Sequence, residues 1–250
     1  MINNKGWIKD IPDARDFKYG ATNPTLAALP PKVDLRPHCP PVYNQAQYNS
    51  CTGNAISAAF EYELIKQGIA DFTPARLFIY YNERDAEGDV TRDGGAQIRT
   101  GIKTVNTLGV CNEALWPYDA NDLLTKPTDD CYQEAANHVV TQYLSLSNDL
   151  AQLKTCLYNG SPFIMGIMLH PSFETGVVSQ TGYVPMPSPG EPIITGHAVL
   201  AVGYNDHEQY FIVRNSWGPN WGDGGYFYLP YAYVSNPALA TDFWVIQVVK

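Results

Sequence analysis

The pattern of hydrophobic and polar positions changes near the middle of the chain. Up to about residue 160, apolar residues recur at the three- and four-residue spacing of amphipathic helices. From Pro162 onward they form short runs separated by Gly, Pro, Asn and Asp, which is typical of strands joined by turns. The predicted helices cover residues 51–67, 74–81, 98–108 and 148–158, and the predicted strands are PFIMGIML, HAVLAVGY, YFIVRNS, GGYFYL and DFWVIQVV. This order predicts an α+β fold of two subdomains with a cleft between them.

Three parts of the chain are predicted. Residues 1–32 are polar, contain four prolines and show no long period, so we expect an extended N-terminal extension outside the core. Residues 33–140 form the mainly helical subdomain, with a first strand at residues 33–36. Residues 141–250 form the β-rich subdomain.

Composition limits the classes of partner. With 45% hydrophobic and 16% charged residues, the chain is typical of a globular protein with a sizeable core. A net charge of -9 argues against nucleic acid or an anionic membrane as a partner. No apolar run is long enough for a transmembrane helix, and the first 20 residues lack the apolar centre of a signal peptide. Cytoplasmic location, a removed signal and secretion by a non-classical route all stay open.

The chain contains five cysteines, namely Cys39, Cys51, Cys111, Cys131 and Cys156. If one of them is catalytic, the other four can form two disulfides in three ways, or stay free in a reducing compartment. The lack of a signal peptide favours free thiols, and a bridge between Cys111 and Cys131 stays open. There is no Cys-x-x-Cys pair, so we expect neither a zinc site nor another metal.

Cys51 stands out because of the helix that follows it. Ser50 is a suitable N-cap, and Ile56, Phe60 and Leu64 share one face, so a largely buried helix is predicted to begin at Cys51. The unpaired N–H groups and the positive dipole end of a helix N-terminus favour a thiolate.

A thiolate that cleaves an amide also needs an imidazole, a group that orients it, and donors for the oxyanion. His197 opens one predicted strand and Asn215 closes the next. If the turn around Asn205 makes these strands an antiparallel hairpin, the two side chains meet at one end. Gln45, six residues before Cys51, can supply an oxyanion donor beside the Cys51 backbone N–H.

These residues give the chain a resemblance to the papain-like cysteine peptidases, and more to a bacterial-type branch than to lysosomal cathepsins. The resemblance is carried by residues 45–51, by GHAVLAVGY around His197, and by RNSWGPNWGDGGY from Arg214. Weaker matches are VDLR at 33–36, Gly-Gly at 94–95 and WPY at 116–118. The long separation of Cys51 from His197 also lies within the range of this family.

The resemblance implies a mainly helical left half and a β-barrel-like right half, with the active-site cleft between them. It implies Cys51 as nucleophile, His197 as general acid and base, Asn215 as the residue that orients the imidazole, and Gln45 as oxyanion donor. Such an enzyme needs no cofactor, rests as a thiolate–imidazolium pair, and is expected to act as a monomer on peptides or proteins.

Four substrate-site residues are implied as well. Trp217 would shield the His197–Asn215 hydrogen bond from water. Gly95, next to Gly94, would bind the substrate backbone as an added strand. Gly196 would lie at the rim of a side-chain pocket, for which we expect a modest apolar preference.

The chain departs from the family at three positions near the nucleophile. Tyr48 stands where a cysteine usually links this loop to the Gly94–Gly95 region, Asn49 replaces a glycine, and Thr52 replaces an aromatic residue. None of the three removes a catalytic atom.

Alternatives stay open at this level. The N-terminal extension either occupies the cleft as a blocking segment or is a surface tail. The protein is a cysteine endopeptidase, a catalytically silent peptide-binding protein on the same fold, or another thiol acyltransferase or amidase.

Overall fold

The computed structural model describes residues 6–26 and 28–250, which fold into helices packed against one antiparallel sheet. The helices are α1 (Tyr19–Thr22), α2 (Cys51–Gln67), α3 (Arg76–Glu87), α4 (Ile98–Thr107), α5 (Asp129–Ala135), α6 (Leu150–Tyr158), α7 (Gly176–Thr181) and α8 (Tyr231–Val234). The strands are β1 (Lys32–Asp34), β2 (Val140–Ser145), β3 (Phe163–Leu169), β4 (Thr195–Asn205), β5 (Tyr210–Arg214), β6 (Tyr226–Pro230) and β7 (Ala240–Val249). Short 3₁₀ helices cover Arg36–His38, Ala120–Asp122 and Pro171–Glu174.

The sheet is open. Its strand order is β2-β7-β3-β4-β5-β6, and β1 pairs with the far end of β4. Within the described residues the edge strands β2 and β6 do not pair with each other, so the expectation of a barrel-like right half is corrected to an open sheet. The α+β class itself is confirmed.

The long predicted elements are confirmed, with changes at their ends. The helix that begins at Cys51 ends before Gly68, whose positive φ of 67° is the usual helix terminator. Helix α3 runs to Glu87, beyond the predicted end at residue 81, because Asn82, Glu83 and Arg84 are buried by tertiary packing that their polarity did not predict. Strand β2 and the short helices were not predicted.

Helix α2 lies at the centre of the core. Every residue from Cys51 to Leu64 is buried, since α2 contacts α3 and α4 as well as strands β3, β4 and β7 of the sheet. Small residues make these close contacts possible: a Cβ at Gly53 would lie 2.6 Å from the carbonyl oxygen of Arg76 on α3. This packing fixes the N-terminus of α2, and with it Cys51, against the sheet.

The N-terminal extension contributes to the core, which corrects the expectation that it lies outside. Trp7 and Tyr19 are 6% and 0% exposed and belong to the two clusters of buried apolar side chains. Ile11 and Phe17, between them, are each 70% exposed. The segment is therefore held by separate aromatic anchors, which an average over its polar sequence conceals.

All five cysteines are free thiols, so the pairing left open for Cys111 and Cys131 is not formed. In the described part of the chain, no helix combines the length and the apolarity that a membrane crossing requires.

Candidate active site

Cys51 is the first residue of α2 and is fully buried. Its sulfur accepts a hydrogen bond from the backbone N–H of Ala198 at 3.3 Å, which places it beside His197 on β4. Ser50 occupies the N-cap position, but its hydroxyl does not cap the helix and bonds the hydroxyl of Tyr118 at 2.6 Å instead. The expectation of Ser50 as a side-chain cap is wrong because this tertiary partner competes for it.

The structure also brings His197 and Asn215 together. Strands β4 and β5 are antiparallel and close in a hairpin after Asn205, as the sequence predicted. His197 Nε2 lies 2.9 Å from Asn215 Oδ1, and both side chains are buried. The indole of Trp217 stacks on the imidazole with ring centroids 5.0 Å apart and an interplanar angle of 26°, so it covers this bond.

Gln45 is buried and is tied to the same group. Its backbone N–H donates to the carbonyl of Ser216 at 2.7 Å, and its Oε1 accepts from the Ser216 hydroxyl at 2.5 Å. The side-chain Nε2 donates to the Tyr48 carbonyl at 2.8 Å, which uses one of its two hydrogens. The bond from Ser216 therefore fixes which end of the amide carries the donors.

The pKa of the Cys51 thiol runs against the expectation of a resting thiolate. Burial raises it from 9.0 to about 12, and the N–H groups of Ala198, Thr52 and Cys51 itself lower it by less. Desolvation thus outweighs the helix N-terminus in this state of the protein.

The three departures near the nucleophile have structural partners. The backbone N–H of Asn49 donates to both carboxylate oxygens of Asp93, at 3.1 and 3.0 Å, and its side-chain amide donates to the Asp93 carbonyl at 2.6 Å. These bonds join the loop to the Gly94–Gly95 region, where relatives of this kind are expected to have a disulfide. Thr52 donates to the buried Glu83 at 2.5 Å, and Tyr48 packs near Tyr118.

The N-terminal segment crosses the site. Trp7 forms a parallel β-bridge with Ala96, in which the Ile8 N–H donates to the Ala96 carbonyl at 2.9 Å and the Ala96 N–H donates to the Gly6 carbonyl at 2.8 Å. Gly6 also lies directly against the Asn49 backbone.

The glycines assigned to substrate binding fall at different places in this contact. The Gly95 N–H donates to the Tyr80 hydroxyl at 2.9 Å, so the backbone pairing with the segment is made by Ala96. Gly95 still allows the N-terminal segment to approach closely, because its φ is +85° and a Cβ there would lie 2.0 Å from the Gly6 carbonyl oxygen. Gly196 packs against Trp7, whereas Gly94 is exposed near Arg92.

Sequence reasoning missed four residues at the site, namely Tyr80, Asp93, Ala198 and Asp242. The acidic pair of Asp10 and Asp242 illustrates why. Asp242 accepts from the Trp7 indole N–H at 3.1 Å and from the Asp10 N–H at 2.7 Å, although it lies more than 230 positions from either in sequence. No local pattern signals such contacts.

Comparisons with known proteins agree with this geometry. Residues 29–242 match the family model described as papain family cysteine protease. An uncharacterized peptidase C1-like protein of Acanthamoeba polyphaga mimivirus is 41% identical over 100% of this chain and 88% of its own length. The cathepsin B-like CP2 of Giardia intestinalis is 29% identical over 80% of this chain and 68% of its own.

Solved structures are similar over nearly the whole chain. Xylellain, a cysteine protease from Xylella fastidiosa, is 45% identical, with a TM-score of 0.91 and coverage of 99% of this chain and 98% of its own. This similarity confirms the bacterial-type resemblance. Procathepsin L 3 of Tenebrio molitor, at 19% identity and a TM-score of 0.74 over 99% of this chain and 77% of its own, shares the fold. The chain belongs to the papain family, and it is a cysteine protease, a hydrolase.

Proposed function

We propose that the protein is an endopeptidase that cleaves peptide bonds through a thioester on Cys51. The observation that carries this proposal is the joint placement of the Cys51 sulfur against the Ala198 N–H and of His197 Nε2 against Asn215. In this mechanism His197 takes the proton of the Cys51 thiol as the sulfur attacks the peptide carbonyl, and it then delivers that proton to the leaving amine. His197 then takes a proton from the water that hydrolyses the thioester.

The other groups act on charge and orientation. Asn215 Oδ1 holds the imidazole by Nε2, which leaves Nδ1 for proton exchange with the sulfur side. Trp217 limits the access of water to that bond. The remaining amide hydrogen of Gln45 and the backbone N–H of Cys51 receive the oxyanion.

An irreversible epoxide inhibitor of papain-like enzymes tests the assignment. We expect it to label Cys51, and Cys51→Ala to abolish both labelling and peptide hydrolysis while the fold is retained. Cys39→Ala is the matched control, because Cys39 is the most exposed of the other thiols. Hydrolysis by the Cys51→Ala protein would refute the proposal. Release of the acyl group to an added amine in preference to water would favour an acyltransferase. Tight peptide binding without turnover would favour a catalytically silent binding protein.

The same proposal includes inhibition by the N-terminal segment. Support comes from the pairing of Gly6 and Ile8 with Ala96 and from the burial of Trp7 beside Gly196. A chain that occupies this strip of backbone excludes a substrate strand from it.

Gly6 offers a test that leaves the chain length unchanged. Its φ is +88°, and a Cβ there would lie 1.7 Å from the Asn49 carbonyl oxygen, so Gly6→Ala cannot dock in the same way. We expect kcat/KM for a peptide amide to rise about tenfold or more, since left-handed strain adds to the clash. Gly176→Ala is the matched control, because a Cβ there meets nothing within 4 Å. Equal activity in the two variants would exclude inhibition by this segment.

A further inference from the structure

One hydroxyl group joins the two residues on which the position of the oxyanion donors depends. Tyr118, in the WPY motif of residues 116–118, donates from its hydroxyl to the Gln45 carbonyl at 3.0 Å and lies 2.6 Å from the Ser50 hydroxyl. Gln45 carries one proposed donor on its side chain. The peptide unit that follows Ser50 carries the other, which is the N–H of Cys51. Both donors therefore stand on residues that share a single partner.

The groups themselves fix the direction of these hydrogen bonds. A backbone carbonyl only accepts, so the single hydrogen of the Tyr118 hydroxyl points to Gln45. The Ser50 hydroxyl must then donate to Tyr118, while its oxygen accepts from the Asn54 side-chain amide at 3.2 Å. The same amide donates to the Ser50 carbonyl at 2.9 Å. The bonds thus run in one direction, from helix α2 to Gln45, and bonds aligned in this way strengthen one another.

The ring that carries this hydroxyl is also held in place. The guanidinium carbon of Arg76 lies 3.9 Å from the centroid of the Tyr118 ring and 4.8 Å from that of Tyr43. Both oxygens of the Glu113 carboxylate accept from the guanidinium at 2.7 Å, which fixes its plane. Arg76 also donates to Asn54 Oδ1 at 3.1 Å, and so determines which end of that amide faces Ser50. A planar cation stacked on the ring limits its rotation.

The backbone of Gln45 is held from two separate parts of the fold. Its N–H donates to the carbonyl of Ser216, which follows strand β5, and its carbonyl accepts from Tyr118, which lies between α4 and α5. An oxyanion donor is effective only about 2.7–3.1 Å from the place where the charge develops. A displacement of about 1 Å can cost about 100-fold in rate. The bond from Tyr118 therefore bears on catalysis and not on packing alone.

We propose that Tyr118 is a positioning residue of the reaction, and that its hydroxyl holds Gln45 and Ser50 at the spacing that the oxyanion requires. The inference rests on the proposed peptidase function and adds a residue to it. Tyr118 acts through the two residues that it binds. Its loss should therefore weaken stabilisation of the charged transition state and leave the reactivity of the Cys51 thiol unchanged.

Tyr118→Phe tests the inference, because it removes the hydroxyl and keeps the ring that stacks on Arg76. In the full chain with Gly6→Ala, we expect kcat for a peptide amide to fall about tenfold and KM to change less than about twofold. Tyr132→Phe is the matched control, since the Tyr132 hydroxyl is also bound within the fold, to Asn82 Oδ1 at 3.0 Å, and kcat should stay within about twofold. An unchanged kcat in Tyr118→Phe would overturn the inference.

Alkylation separates an effect on the oxyanion from a general disturbance of the site. Iodoacetamide reacts with the Cys51 thiolate by forming a sulfur–carbon bond as iodide leaves, and no oxyanion develops. We expect the alkylation rate of the peptide that contains Cys51, followed by mass spectrometry, to stay within about twofold in Tyr118→Phe. A fall in this rate that parallels the fall in kcat would show that the hydroxyl only supports the structure around Cys51, and would overturn the inference.

A double-mutant cycle with Gln45→Ala gives a second separation. When the side-chain donor is already absent, Tyr118→Phe should lower kcat by less than about threefold, because only the Cys51 N–H is left to position. A full tenfold loss in that background would show that Tyr118 acts independently of Gln45, contrary to the inference. If the Gly6→Ala protein cleaves no peptide and binds no epoxide, the proposed function itself fails.

Discussion

Two segments border the same cleft, and they are held in different ways. The loop of residues 44–50 is fixed by short hydrogen bonds to three parts of the fold, through Gln45, Asn49 and Ser50. The N-terminal segment of residues 6–19 is held at separate points, by Trp7, Asp10 and Tyr19, while apolar side chains between them are exposed.

We therefore call the loop of residues 44–50 the wall of the cleft, because it is fixed, and the segment of residues 6–19 its cover, because it can open. The loop's partners, Ser216, Asp93 and Tyr118, are buried or partly buried and come from three separate parts of the fold, so displacing the loop breaks several hydrogen bonds at once.

The segment is anchored at intervals, by Trp7, Asp10, Asp16 and Tyr19, and most of the residues between these anchors are exposed. Exposed stretches with few buried apolar contacts are typical of regions that open at low free-energy cost. The predictions below test this contrast, from the largest expected effect to the smallest.

Gln45→Ala, in the wall, should have the largest effect on activity. In the Gly6→Ala background we expect kcat to fall about 100- to 1000-fold with little change in KM, the range found when one oxyanion donor is removed. Gln47→Ala is the matched control, since Gln47 is exposed two positions further on, and it should change kcat less than about twofold. A similar loss in both variants, measured by steady-state kinetics, would mean that the loop acts only through its structure.

Tyr19→Ala probes whether the cover detaches before the core melts. Tyr19 is fully buried and Phe17 is exposed, so the same substitution at Phe17 is the control. If the segment unfolds together with the core, a cavity of this size costs about 3 kcal/mol. The melting temperature, measured by calorimetry, should then fall by about 6–12 °C. An unchanged melting temperature for Tyr19→Ala would show that residues 6–19 separate from the core first.

The pH dependence of the cover follows from Asp10. Burial, and then the charge of Asp242, raises the pKa of Asp10 from 3.8 to about 7, although the Trp244 indole N–H and Arg99 oppose the shift. The docked segment therefore binds the proton more tightly than the released one does. Docking is strongest below about pH 4 and weakens as the pH rises through about 7.

Hydrogen exchange of residues 6–19, corrected for its intrinsic pH dependence, measures this effect in the full-length Cys51→Ala protein. We expect opening to increase about 100-fold or more between pH 4 and pH 7, and Asp10→Asn to flatten the profile. A decrease in opening over the same range would contradict the sign of the linkage.

Asn49→Ala, also in the wall, should lower the stability of the protein slightly. The substitution removes the hydrogen bond from the Asn49 side-chain amide to the Asp93 carbonyl. We expect it to lower the free energy of unfolding by about 1 kcal/mol, which corresponds to about 2–4 °C in melting temperature. Asn121→Ala, at an exposed position, is the control. No difference between the two would mean that the backbone bonds from Asn49 to Asp93 alone hold the loop.

Much of the fold was predictable because its long elements have strong local signals. The helix from Cys51 and the hairpin from His197 to Asn215 follow from spacing and turn residues, and both are present. The open sheet, strand β2 and the buried polar end of α3 were not predicted, because strand order and burial depend on residues distant in sequence.

The sequence by itself determined the four residues proposed for catalysis, Gln45, Cys51, His197 and Asn215, because the chemistry needs those residue types at ends of predictable elements. Only the tertiary structure decided what surrounds them. In the folded protein the Ser50 hydroxyl bonds Tyr118 instead of capping helix α2, and burial raises the pKa of the Cys51 thiol. The tertiary structure also placed Trp7 against Gly166, Gly196 and Asp242, which come from three strands. Contacts of this kind depend on packing and desolvation between residues that are distant in sequence, and a local sequence pattern predicts neither.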